Sequence, residues 1–265
     1  MLKTVIKAIL PSKVLPLSYL THRTIKKARG EVQSGPFRGM KYIEKAYCSS
    51  ICPKLTGTYE KEIQNTIKQL LRQKFDAFID IGSAEGYYSI GFAKYGNCKQ
   101  VYSFECSEEA RKLQDELAEK NKVKSKLRLL GSCNCEDLRT VLQENDSNFV
   151  LCDVEGLEYA LLDLDKIPEL ASATLIIECH HHVWDQMESA LIERFSKTHI
   201  SQSFQANMDG DPNDYPFGNF YYYILPRKYK NFPILDQRAP ETTWLYLTPK
   251  KNLEKSIRET ATKES

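Results

Sequence analysis

The stretch "FIDIGSAEGYYSIGFA", residues 78–93, decides how this chain folds. Phe78, Ile79 and Ile81 make the short apolar run of a buried parallel strand, with Asp80 near its end. Gly82 and Gly86 follow, and from there the pattern turns helical. Glycine permits a sharp turn from strand to helix and lets backbone approach a ligand without a side chain in the way. The first N–H groups of the helix are then free to meet a ligand. Strand, glycine turn and helix together make a nucleotide cradle.

The same alternation continues along the chain. Residues 77–81 read as strand 1, "QVYSFE" (100–105) as strand 2 and "KLRLLGS" (126–132) as strand 3. "NFVLCDV" (148–154) reads as strand 4 and "ATLIIEC" (173–179) as strand 5. Helical patterns separate them near 107–120, 136–143 and 184–197. Strands alternating with helices imply βαβ units, right-handed crossovers and a doubly wound α/β fold with a mostly parallel sheet. Three later stretches look strand-like: 200–206, 220–226 and 242–249. Two of them complete a seven-stranded sheet, one as an antiparallel strand. Residues 1–57 form a turn-rich N-terminal extension, 58–250 the main domain and 251–265 a polar tail.

Composition narrows the classes. The chain has 265 residues, 42% hydrophobic and 27% charged, which suits a globular protein with one large α/β domain. Net charge is only +2, so no overall basic field points to DNA. The charge is uneven. Residues 1–30 carry seven Lys/Arg and no acid, so taking these seven from the net +2 leaves −5 on the rest. Eight cysteines are scattered without a framework and read as reduced thiols of a cytoplasmic protein. Cys133-x-Cys135 and Cys48-x3-Cys52 lack a second pair at zinc-finger spacing, so no structural zinc is expected. No apolar run reaches about 18 residues, so no membrane-spanning helix is expected. Pro11 and Lys13 interrupt the N-terminal apolar segment, which makes a poor signal peptide. Leu2, Val5, Ile6, Ile9 and Leu10 share a helical face with Lys3 and Lys7 off it. A short helix packed on the protein's own core is the favoured reading there. Contact with a membrane surface through residues 1–30 is the other.

Two further anchors select the nucleotide. A nicotinamide site asks for G-x-G-x-x-G after strand 1. Here Ala84 stands at the middle glycine position. Glu105 ends strand 2, where a carboxylate can accept from both hydroxyls of an adenosine ribose. Asp153 and Glu155 fall at the carboxyl end of strand 4, where ligands of open α/β sheets bind. Paired acids there suit a cationic sulfonium methyl donor and an acceptor that must lose a proton.

"FIDIGSAEGYYSIGFA", "VYSFECSEE", "VLCDVEGLE" and "LIIECH" together resemble the FkbM-like class I S-adenosylmethionine-dependent methyltransferases. The resemblance covers roughly 75–182, and "DVEGLE" (153–158) is its most specific piece. Ser83 stands where that family usually has alanine and Cys106 where it has proline. The resemblance implies a Rossmann-like methyltransferase sheet that binds S-adenosyl-L-methionine. The donor residues are then Asp80, Gly82, Ser83, Glu85, Gly86, Tyr87, Glu105 and Cys106, with Ser132 and Cys133 beside the adenine after strand 3. It also implies O-methylation of a hydroxyl on a sugar, glycan or secondary metabolite.

Asp153, Glu155 and His180 are the candidate catalytic residues. His180 matches the family's Glu-x-His and is chosen over His181 and His182. A histidine suits removal of a hydroxyl proton at neutral pH. A divalent metal held by Asp153 with Glu178 or His180 is a second, less favoured route, so no metal ligand is assigned. An RNA or protein methyltransferase is the runner-up function, although no amine-methylation motif follows strand 4. A non-catalytic binding protein that kept the fold is the third. The aromatics Tyr215, Tyr221, Tyr222, Tyr223 and Trp244 are either an acceptor-stacking pocket or core.

Overall fold

A computed structural model of the chain describes residues 16–206, 210–218, 220–236 and 242–251. The N-terminal apolar face at residues 2–10 and most of the polar tail therefore lie outside the described residues. The chain divides into two compact units, one drawn from residues 69–206 and 239–265 and the other from 1–68 and 207–238.

The first unit is built on seven strands. They are β1 Phe75–Ile81, β2 Cys98–Phe104, β3 Leu127–Leu130, β4 Asn148–Cys152, β5 Thr174–His180, β6 His199–Gln205 and β7 Thr242–Pro249. Their order is β3-β2-β1-β4-β5-β7-β6. β7 runs antiparallel to both neighbours and the other pairings are parallel. The strand-to-strand helices are α1 Tyr87–Tyr95, α2 Glu108–Asn121, α3 Cys135–Gln143, α4 Glu158–Leu161 and α5 Met187–Phe195. This is the doubly wound, mostly parallel seven-stranded sheet that the sequence implies.

Each sheet face has its own core, because successive side chains point to opposite faces. Ala77, Ile79 and Ile81 of β1 join Val150, Leu175 and Ile177 under Leu138, Leu142, Leu191 and Phe195 of α3 and α5. Phe78 lies on the other face, with ring centroids 4.2 Å from Phe92 of α1 and 4.8 Å from Phe149. Two helix starts carry side-chain caps. Ser107 accepts from Ala110 N–H at the start of α2, and Asn134 forms a capping box with Asp137 at α3. Trp244 of β7 is buried, so it belongs to the core.

The second unit has its own small core. Leu20, from the helix Pro16–Ala28, packs with Tyr215, Tyr222, Leu225 and Ile234. Arg23 donates to the Phe217 carbonyl, and the Thr24 hydroxyl lies 3.1 Å from Tyr215 OH. Residues 220–226 correct one expectation, because they hold a helix, Phe220–Ile224, and no strand. The aromatic run resembles a strand in composition, but its burial follows helical spacing. Tyr222 and Leu225, three apart, are buried, whereas Phe220, Tyr223 and Ile224 are exposed.

Candidate functional site

The glycine turn sits at the carboxyl end of β1. Gly82 has φ +83°, and a Cβ there would lie 1.6 Å from the Asp153 carbonyl oxygen. The turn is thus pressed against the chain leaving β4, whose Asp153 N–H donates to Ile81 O at 2.9 Å. Gly82 and Ser83 donate backbone N–H groups to Phe104 O, which ties the turn to β2 as well. Gly86 opens α1 at φ +93°, with its Cβ position 2.7 Å from Gln114.

A buried polar network underlies this turn. The Ser89 hydroxyl donates to Asp80 and lies 2.8 Å from Ser103 Oγ, and Gln114 Nε2 donates to the same Ser103 oxygen. Asp80 and Glu85 are both buried, and Asp80 accepts from the Ser89 hydroxyl. Ser83 and Tyr87 are buried too. Glu105 joins the two loops: its Oε2 accepts from Ala84 N–H at 2.9 Å and its Oε1 from Ser107 N–H at 2.7 Å. Each carboxylate oxygen has further acceptor capacity, which ribose hydroxyls could use. Cys106 is exposed beside it. β3 ends at Leu130, so Ser132 and Cys133 lie beyond the strand, Ser132 exposed and Cys133 partly so. Burial, with help from Asp137, pushes the Cys133 thiol up to about 12, so it stays neutral.

The candidate catalytic residues meet at the carboxyl ends of β4 and β5. β4 stops at Cys152, two residues earlier than expected, because the chain turns through Glu155 at φ +53° and Gly156 at φ +105°. Asp153 and Glu155 are therefore on a loop. His180 closes β5 and is 4% exposed. Its Nε2 lies 3.5 Å from Asp153 Oδ1 and 3.4 Å from Glu155 Oε2. Its Nδ1 lies 2.8 Å from Glu158 Oε1. His181 turns elsewhere, with Nε2 2.9 Å from Thr243 Oγ1. His182 is exposed, its ring 5.5 Å from that of His180. Glu178, two residues before His180 on β5, is buried and outside the cluster.

Glu158 is the member that sequence reasoning missed. It is fully buried, and the same Oε1 that meets His180 also accepts from Val154 N–H at 3.1 Å and Gly156 N–H at 3.2 Å. One oxygen thus ties the turn carrying Asp153 and Glu155 to the histidine. Burial alone would raise its pKa, but the His180 hydrogen bond and the backbone donors outweigh that and hold it below the ordinary glutamate value. For His180, burial pulls the pKa down. The Glu158 hydrogen bond and the charges of Glu158, Glu178 and Glu155 overcome this and raise it. Arg194 of α5 braces the segment from below. It donates to the Tyr159 and Leu162 carbonyls and lies 3.4 Å from the Tyr159 ring centroid. The sequence signal for Glu158 was its place as the last residue of "DVEGLE", which names the residue without giving it a role.

Among the described residues, Asp153, Glu155 and His180 are also the one group able to hold a metal ion. None of the eight cysteines forms a disulfide. No helix among the described residues is long and apolar enough to cross a membrane.

No protein-family model and no curated protein matches the sequence. Among solved structures, the chain is similar to an rRNA methylase from Streptococcus thermophilus, with TM-score 0.47, 13% identity, and coverage of 71% of this chain and 96% of that one. It is similar to a precorrin-6Y C5,15-methyltransferase from Geobacter metallireducens, with TM-score 0.45, 10% identity and coverage of 69% and 84%. It is also similar to a precorrin 8W decarboxylase from Methanobacterium thermoautotrophicum, with TM-score 0.45, 15% identity and coverage of 71% and 89%.

Proposed function

We propose that this chain is an S-adenosylmethionine-dependent O-methyltransferase acting on a hydroxyl of a sugar, glycan or secondary metabolite. One observation carries the reading. A glycine turn and a strand-end glutamate suited to an adenosine donor abut, through Gly82 and Asp153, a cluster of Asp153, Glu155 and His180. The resemblance of "DVEGLE" and "LIIECH" to the FkbM-like family supports the choice of a hydroxyl acceptor.

Glu105 would hold the ribose, and the turn at Gly82–Gly86 the remainder of the donor's polar tail. When bound, S-adenosylmethionine supplies a methyl group on a sulfonium sulfur, which keeps the S–C electron pair as the methyl passes to the acceptor oxygen. The acceptor hydroxyl must shed its proton in that step, and Asp153, Glu155 and His180 form the group that receives the hydroxyl and promotes loss of its proton. Positioning the acceptor oxygen about 3–3.5 Å from the methyl carbon supplies much of the remaining acceleration.

The first test is donor binding. Calorimetry with S-adenosylhomocysteine should detect a complex, and NAD should give none. Glu105→Ala removes charge-assisted hydrogen bonds of about 1.5–3 kcal/mol, a loss of roughly ten- to hundredfold in affinity. It also frees the Ala84 and Ser107 N–H groups, which loosens the loop in the same direction. An affinity equal to wild type in this variant rules Glu105 out as the ribose ligand.

A further inference from the structure

We infer that Asp153, Glu155 and His180 bind a divalent cation, with Glu158 as the carboxylate that orients the histidine. The inference deepens the proposed function, on which its chemical role rests, by naming what activates the acceptor hydroxyl.

The distances around His180 separate two kinds of contact. Nδ1 sits 2.8 Å from Glu158 Oε1, an ordinary hydrogen bond. The same Glu158 oxygen also accepts two backbone N–H groups, so it acts as an acceptor toward Nδ1–H as well and fixes that tautomer. Nε2 then offers its lone pair to the cluster. Its neighbours, Asp153 Oδ1 at 3.5 Å and Glu155 Oε2 at 3.4 Å, both lie beyond the usual N–H···O range of about 2.7–3.2 Å. The two carboxylates are nearly equidistant from Nε2. Donor atoms at such spacing can share one cation. Bonds of about 2.1 Å at tetrahedral angles place neighbouring donors about 3.4 Å apart. All three donor atoms lie within 4.8 Å of one another.

The surroundings fit the same reading. A metal-bound histidine almost always donates its other ring N–H to a carboxylate or carbonyl, and Glu158 is such a partner. His180 is buried and cannot swing away, whereas the Glu155 side chain is 76% exposed, so the site opens to solvent on that side. Three protein ligands leave positions for water or an acceptor oxygen, the mark of a catalytic site. One imidazole and two carboxylates suit Mn²⁺ or Zn²⁺. A hydroxyl bound there has a lowered pKa and releases its proton to water before its oxygen takes the methyl group.

The test is titration of the metal-stripped full chain with Mn²⁺ alone, followed by calorimetry and by the loss of the free-ion electron paramagnetic resonance signal. About one equivalent should bind. Asp153→Asn and His180→Ala should each weaken binding at least about tenfold, and Glu158→Gln about 10–100-fold through the lost hold on the His180 ring. Glu155→Gln, at an exposed side chain, should weaken binding with the fold intact, so the outcome survives a misfolded core variant. If neither Mn²⁺ nor Zn²⁺ binds wild type, or if these variants bind like wild type, the site is overturned. S-adenosylhomocysteine affinity is measured on the same samples without metal. Its absence in wild type would sink the methyltransferase reading while leaving the cation titration to stand.

Discussion

His180→Ala should lower methyl transfer to a hydroxyl acceptor by ~10²–10⁴-fold while S-adenosylhomocysteine affinity stays at the wild-type value. The size follows from what the imidazole does. An aliphatic hydroxyl is a weak nucleophile until its proton leaves, and His180 is the buried group on which Asp153 and Glu155 converge. Without it, the two carboxylates lose their common partner. Donor affinity should hold because Glu105, the Ala84 N–H and the Gly82–Gly86 turn make no hydrogen bond to His180 among those the structure gives. Single-turnover rates and calorimetry on one preparation separate the two effects. His181→Ala is the matched control: it removes a contact to Thr243 and should leave turnover far closer to wild type. Turnover of His180→Ala within a few-fold of wild type on an identified hydroxyl acceptor would remove the cluster from the mechanism. Excess Mn²⁺ should restore part of the lost rate if the missing imidazole is a ligand, since mass action then compensates for weaker binding.

What the sequence conveyed about the fold depended on burial. β1, β4 and β5 are covered on both faces and read as apolar runs, so their places were legible. β6 is mostly exposed, so its stretch looked strand-like without the buried apolar run of the central strands. Residues 220–226 misled because aromatic and apolar residues at helical spacing look like a strand when they are contiguous. In the site, the strand-end rule located Asp153 and His180 from the sequence. It could not reveal Glu158, whose part depends on complete burial beside Nδ1, a tertiary fact. Nor could it tell that Asp80 and Glu85 are buried, since a motif names residues without saying how exposed they are.

Gly82→Ala should destabilise the protein by about 3 kcal/mol or more and abolish donor binding in whatever fraction remains folded. Two costs combine at this residue. Its φ of +83° is strained for any L side chain, and the new Cβ would lie 1.6 Å from the Asp153 carbonyl oxygen. That oxygen is backbone, so no side-chain rotation relieves the clash. The chain leaving β4 must move, which breaks the Asp153 N–H bond to Ile81 O and drags Asp153 away from His180. At roughly 2–4 °C per kcal/mol for a protein of this size, melting should fall by about 6–12 °C. Gly131→Ala is the control, because nothing lies within 4 Å of its Cβ position. Substitution there should change melting by no more than about 0.5 kcal/mol's worth. If Gly82→Ala melts with wild type and binds S-adenosylhomocysteine equally well, the turn is looser than its geometry indicates, and the contact joining donor loop to catalytic cluster does not hold them together. If it melts early but the methyl-transfer rate of the folded fraction persists, the contact serves stability alone.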